Sequence, residues 1–160
     1  MRAMKTTNLL LAALTLWLPA CGRHTQPADI INSTAALPPA LPHDPLQWVV
    51  ITSGADPRRA TMGTLFGNGL AVEHARGGGR GDYPPGSILA LVTWRQRDDP
   101  HWYGARIPGA VESVEFVSFD TGLGKPPSYA WYSGDPPRKA FAAPADRISE
   151  ILSYKASVMP

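Results

Sequence analysis

Proline is the residue that most limits what this chain can fold into. The sequence has 17 prolines among 160 residues, about twice the average usage of roughly 5%. Because proline interrupts helix interiors, this content argues against a helical bundle as the main architecture. Three proline pairs, at 84–85, 126–127 and 136–137, fall between runs of strand-forming residues. The prolines are therefore expected to separate the elements of a strand-rich fold.

Five short runs carry the residue types of β-strands. They are Trp48–Thr52, Thr61–Phe66, Ser87–Gln96, Ser113–Phe119 and Ser128–Ser133. The third run is nearly all apolar, which predicts burial on both faces. Two further segments have helical character, Leu70–Arg76 after the cap residue Asn68, and Pro144–Lys155. The expected fold class is α+β, an antiparallel sheet with a short middle helix and a C-terminal helix.

Composition narrows the function classes. Apolar residues make up 44% of the chain and the formal net charge is only +2, which is typical of a globular domain and gives no reason to expect nucleic acid as a partner. A single cysteine excludes an intrachain disulfide, a multi-cysteine zinc site and a CxxCH haem attachment. Serine-elbow, Walker, dinucleotide-binding and HExxH motifs are absent, so no catalytic residue is assigned.

The first 20 residues have the pattern of an export signal. Arg2 and Lys5 precede a short apolar core, and the segment ends Leu-Pro-Ala before Cys21. This ending resembles the lipobox of bacterial lipoproteins, in which the cysteine receives diacylglycerol and an N-acyl chain such as palmitate. Cys21 is therefore the expected lipid attachment site, and the alternative is an ordinary secretory signal that leaves Cys21 as a free thiol.

Residues 21–47 are expected to form a flexible, lipid-anchored tether, because they are rich in proline and lack aromatic residues. The folded domain is expected to span residues 48–160. Gly22, in place of aspartate, follows the cysteine, which favours the outer membrane over the inner membrane. The expected location is the bacterial envelope, lipid-anchored to the bilayer and facing the periplasm.

The candidate polar residues have simpler structural explanations beside the functional ones. His74 and His101 could serve as a base or a metal ligand, but no paired-histidine spacing accompanies them, so no metal site is assigned. Asp98 and Asp99 precede Pro100 and suit a turn better than paired acid–base catalysis. The glycine-rich segment 77–81 follows a helix candidate, whereas phosphate-binding loops precede a helix, and a flexible loop is expected.

Aromatic residues form the more interesting set. Trp94, Trp102 and Trp131 lie in or beside the presumed strands, among several phenylalanines and tyrosines. They could line a pocket for a flat cofactor, or they could form the core of a small sheet domain, which is the more frequent role of such residues.

Several segments together resemble the cytochrome P-460 family, in particular its lipoprotein-like bacterial branch. They are residues 60–68 (ATMGTLFGN), 83–87 (YPPGS), 89–96 (LALVTWRQ), 99–108 (DPHWYGARIP), 113–115 (SVE) and 155–160 (KASVMP). The resemblance covers most of residues 48–160. It implies a mainly antiparallel β domain with helices, related to the cytochromes c-prime-beta.

The resemblance also implies a chemistry that this sequence does not fully carry. Haem-containing members attach haem through a CxxCH motif near the C-terminus, cross-link it to a lysine, and act on hydroxylamine or nitric oxide. Residues 131–160 of this chain contain neither cysteine nor histidine. Covalent haem attachment therefore does not carry over.

Two functions remain as hypotheses. The first is a lipid-anchored binding module without covalent haem, which takes a small-molecule ligand or an envelope partner in the aromatic region. The alternative is a non-covalent haem protein acting as an oxidoreductase on small nitrogen compounds. In that case His101, or else His74, would be the axial ligand, with Trp102, Trp94 and Trp131 near the cofactor.

Overall fold

The computed structural model describes residues 31–79, 82–122, 125–134, 138–140 and 145–157. The expected signal peptide, Cys21 and the first part of the expected tether lie outside these residues. Within the described residues, no helix combines the length and the apolar character needed to cross a bilayer.

Six antiparallel strands form one sheet, and each strand pairs with its neighbours in the sequence. The elements are β1 (Val49–Asp56), β2 (Thr61–Gly67), α1 (Gly69–Arg76), β3 (Ile88–Asp98), β4 (Arg106–Ser118), β5 (Ser128–Ser133), β6 (Arg138–Ala140) and α2 (Ala145–Ser153). The predicted α+β class, with an antiparallel sheet and two helices, is confirmed.

The sheet buries apolar side chains on both faces, as the apolar run in β3 predicts. Leu89 and Leu91 of β3 belong to a cluster that also contains Val72 of α1 and Ile151 of α2. Ala90, Val92 and Trp94 belong to a second cluster, with Phe66, Val114, Phe116 and Tyr132. Because successive residues of a strand point to opposite faces, the two clusters lie on opposite sides of the sheet. We call them the helix face and the strap face.

Asn68 explains why α1 begins where it does. Its side-chain oxygen accepts hydrogen bonds from the backbone N–H groups of Ala71 (3.1 Å) and Ile88 (3.2 Å). Its side-chain nitrogen donates to the carbonyl oxygen of Gly86 at 2.8 Å. One residue therefore caps the helix, as the sequence predicts, and also ties the helix start to the beginning of β3.

Residues 32–47, which we call the strap, differ from the expected flexible tether. The indole N–H of Trp94 donates to the carbonyl oxygen of Ala35 at 3.0 Å, and Ala35, Leu37 and Leu41 pack on the second core cluster. His43 lies against Trp48 and Phe116, with ring centres 5.4 and 5.8 Å away. The physical reason is that the strap face would otherwise expose its apolar side chains to water.

Candidate functional site

Glu115 is a buried charged residue on the helix face of the sheet. It lies on β4 and is only 4% exposed. Arg147 of α2 forms two hydrogen bonds with it, from Nε to Oε2 at 2.8 Å and from a terminal guanidinium nitrogen to Oε1 at 2.6 Å. The Tyr129 hydroxyl on β5 donates to Oε2 at 2.6 Å. A buried carboxylate is costly unless it is paired and hydrogen-bonded, and this arrangement meets both conditions.

The Glu115 carboxylate raises the pKa of both of its partners. Hydrogen bonding to Glu115 raises the pKa of Arg147 above its ordinary value, and burial opposes this rise. Burial raises the pKa of the Tyr129 phenol, and the hydrogen bond to Glu115 and its negative charge raise it further. Arg147 therefore stays charged and Tyr129 stays neutral throughout the physiological pH range.

An open cleft with a mixed polar and apolar lining lies over this cluster, and we call it the sheet-face cleft. It has two adjoining parts of about 420 and 270 Å³. The larger part is bordered by Glu115, Tyr129 and Trp131, and the smaller part runs along β1 towards Tyr154. Both parts are lined by Arg59, Thr61, Thr93 and Arg147.

The cleft offers hydrogen-bond donors, acceptors and aromatic surface. Three hydrogen bonds join the Arg147 guanidinium to carboxylates, the third being to Glu150 at 2.7 Å. Thr61 and Thr93 supply hydroxyl groups, and Trp131, which is 38% exposed, supplies an apolar wall. Pockets for small molecules combine an apolar surface with a few fixed polar groups in this way. Among the described residues, no three histidine, cysteine, aspartate or glutamate side chains are grouped as metal ligands.

The structure distributes the residues that the sequence suggested for a cofactor over separate places. Trp94 is buried on the strap face, whereas Trp131 lines the sheet-face cleft. His101 and Trp102 lie between β3 and β4, where both side chains are exposed. His74 is on α1, with its ring centre 4.4 Å from that of Tyr83. These five residues therefore do not line one common pocket.

A larger cleft of about 910 Å³ lies near His74. Its border includes Tyr83 and Phe119, whose ring centres are 5.4 Å apart, and the chain after α2 from Tyr154 to Ser157. His74 Nε2 is buried and has no hydrogen-bond partner among the described residues. However, His74 itself does not border the cleft, although its neighbours Ala75 and Arg76 do.

The sequence did not single out Glu115, Tyr129 and Arg147 as site residues. Glu115 followed the pattern of an outward polar residue on a half-buried strand. Its partners are 14 and 32 residues away along the chain, so local periodicity carries no signal of the contact. The available hint was weak: Arg147 precedes the buried Ile151 by four residues and therefore shares its helix face.

A family model assigns the chain to a known group. The model described as Cytochrome P460 matches residues 42–146, which is about two thirds of the sequence. A search of curated proteins found no match. The family resemblance inferred from the sequence is thus confirmed. The chain belongs to the cytochrome P460 family.

Proposed function

We propose that this chain is a lipid-anchored, periplasm-facing member of its family that binds a small polar ligand without covalent haem. The sheet-face cleft carries the proposal. It places the Glu115–Arg147 pair, two threonines and the exposed Trp131 around one open space. A charged pair at the base of an open cleft is a feature that packing alone does not require, because apolar residues of similar volume are often as stable there.

The chemistry of the lining defines the ligand. Arg147 is 24% exposed, and guanidinium N–H groups beyond those bonded to Glu115 and Glu150 can donate to a ligand oxygen. The hydroxyl groups of Thr61 and Thr93 can both donate and accept. Trp131 can stack on a flat or apolar part of the ligand. The best match is a small molecule with a carbonyl or carboxylate group at one end.

Because the chain belongs to the cytochrome P460 family, haem is the first cofactor to consider for these residues. Thioether links cannot form, because residues 22–160 contain no cysteine. His101 lies on an exposed turn, and His74 lies against Tyr83 and does not border the neighbouring cleft. The chain therefore lacks the covalent attachment motif, and neither histidine borders a described cleft as an axial ligand would, which supports a function without haem.

The proposed anchor rests on the Leu-Pro-Ala-Cys ending of the export signal at residues 18–21. Acyl chains contribute about 0.8 kcal/mol per buried methylene group, and more than one chain gives stable attachment. Cys21→Ser is expected to abolish acylation and move the protein out of the membrane fraction. Intact-protein mass and membrane fractionation measure the two effects. An unmodified Cys21 in wild-type protein would contradict the anchor.

Ligand binding can be tested with a panel of amino acids, short carboxylic acids and amides, followed by tryptophan fluorescence and thermal shift. Compounds that bind wild-type protein should lose affinity in Thr93→Ala and Trp131→Phe. Trp102→Phe is the matched control, because it makes the same change at an exposed tryptophan outside the cleft. Equal affinity in all three variants would exclude the cleft as the binding site.

Haem titration separates the proposal from the oxidoreductase alternative. When hemin is added to the purified protein, we expect no Soret band that survives gel filtration. A stable band that disappears in His74→Ala or His101→Ala would replace the proposed function with non-covalent haem binding.

A further inference from the structure

The turn between β3 and β4 presents two aromatic side chains to solvent. Trp102 is 72% exposed and Tyr103 is fully exposed, and neither contributes to the two core clusters. We infer that this hairpin tip is a second membrane contact, which touches the lipid surface and orients the domain on it. The inference rests on the lipid anchor of the proposed function.

Short-range interactions give the tip a defined shape. At its base, Arg106 forms an ion pair with Asp98 at 3.1 Å, and the Asp99 N–H donates to the Ala105 carbonyl at 3.0 Å. The Asp99 side chain accepts a hydrogen bond from the His101 N–H at 2.8 Å. The backbone of the tip is thus held by its own hydrogen bonds, and the exposed aromatic rings are not needed to hold it.

The chain that follows the anchor enters the folded domain at the end of the sheet where the tip lies. Asn32, at the start of the strap, donates from its side-chain nitrogen to the Pro108 carbonyl at 2.7 Å. Its side-chain oxygen accepts from the Arg97 guanidinium at 3.0 Å. Arg97 immediately precedes Asp98, whose pairing with Arg106 is the last of the β3–β4 ladder. Asn32 is therefore fixed next to the base of the tip.

Chain length limits how far the tip can be from the bilayer. Cys21 precedes Asn32 by 11 residues (32 − 21), which span at most about 40 Å when fully extended. Trp102 follows Arg97 by five residues (102 − 97), at most about 17 Å of extended strand. Once Cys21 is acylated, these lengths leave the tip within reach of the surface that holds the acyl chains.

The chemistry of the tip favours the interfacial region of a bilayer. Tryptophan and tyrosine are enriched there, because each has an apolar ring and a polar group that stays hydrated. The carboxylates of Asp98 and Asp99 are engaged by Arg106 and by the backbone of the tip. Contact should therefore depend on the aromatic rings and change little with salt, unlike contact through a basic patch.

Fluorescence quenching in vesicles tests this inference with the full acylated protein. The vesicles contain phosphatidylethanolamine and phosphatidylglycerol, with and without bromine on the acyl chains. Wild-type protein should show bromine-dependent quenching of tryptophan fluorescence. Trp102→Phe should lose this quenching, and the matched variant Trp131→Phe should keep it. Near-ultraviolet circular dichroism verifies that both variants are folded.

The outcomes separate the tip from the anchor. Equal quenching of the two variants in acylated protein would overturn the tip contact and leave the anchor intact. If intact-protein mass shows no acyl group, the anchor fails, and the same protein is then added to preformed vesicles. Quenching through Trp102 would still support the tip as a lipid contact, whereas its absence would overturn it.

Discussion

Glu115 shows at the residue scale how tertiary structure can reverse the meaning of a sequence pattern. On a half-buried strand a glutamate between apolar residues is expected to face water. In the folded chain it is buried, because α2 brings Arg147 and β5 brings Tyr129 to its two carboxylate oxygens. Since those partners are distant in sequence, only the assembled sheet and helix define the site.

Removing the charge of Glu115 should be costly. Glu115→Gln leaves the Arg147 guanidinium partly buried without its full counter-charge, so we expect a loss of about 3 kcal/mol in the free energy of unfolding. Glu112→Gln is the matched control on the same strand, because its ion pair with Arg95 is exposed at 3.4 Å, and it should cost under about 1 kcal/mol. Urea denaturation measures both, and equal losses would contradict a structural role for the buried pair.

The raised pKa of Tyr129 predicts how the free energy of unfolding changes at alkaline pH. Burial and the Glu115 charge raise its pKa in the folded protein above the ordinary value of 10.0, so the unfolded chain loses the phenolic proton first. Its contribution to stability is therefore complete below pH 10 and decreases as the pH rises further. Phenolate absorbance should show a late titration phase that decreases in Tyr129→Phe. The rest of this phase comes from Tyr83, because burial raises its pKa as well. The phase should persist in Tyr103→Phe, and its loss there would refute the assignment.

At the element scale, most strands and both helices could be predicted from local patterns. The limits of β5 agree with the sequence prediction, and β2 and α1 agree within one residue. The first predicted strand ends at Thr52, whereas β1 continues through Gly54 to Asp56. The first half of β4 was missed because Pro108 and Gly109 disfavour a strand. Register shifts in the β3–β4 ladder accompany this stretch.

A substitution of Gly67, at the end of β2, tests how closely α1 packs on the sheet. A Cβ atom there would lie 2.7 Å from Ile51 Cδ1 and 3.0 Å from Ala71 Cβ. We expect Gly67→Ala to destabilise the fold by about 1–3 kcal/mol through overpacking. At Gly69 the same substitution meets no atom within 4 Å and should leave stability unchanged or raise it by up to about 1 kcal/mol. Thermal denaturation of both variants checks this, and equal melting temperatures would exclude close packing at Gly67.

At the scale of the whole molecule, the sheet is covered on both faces by segments that lie outside it. The helices cover one face and the strap covers the other. The composition of residues 21–47 predicted a flexible segment. Composition does not show that a sheet with two apolar faces needs a further segment to cover its second face. The family model, which begins at residue 42, also extends into the strap.

Hydrogen exchange should show that the strap is part of the folded unit. In full-length protein, the amides of Ala35, Ala36 and Gln47, which donate to nearby carbonyl groups, should be protected. Trp94→Phe removes the indole N–H that bonds to Ala35. Strap protection should then decrease more than protection in β3. Exchange of the wild-type strap at the rate of an unstructured chain would contradict the packing described above.

The sequential strand order has a consequence for how the molecule assembles. Each strand pairs only with the strands next to it in the sequence, so no pairing of the sheet has to join distant segments of the chain. Arg147 lies on α2, the last described helix, so we expect Glu115 to stay hydrated until α2 packs on the assembled sheet. Glu115→Gln should accordingly accelerate unfolding and leave the folding rate nearly unchanged, as stopped-flow kinetics would show. A slower folding rate would mean that α2 docks early.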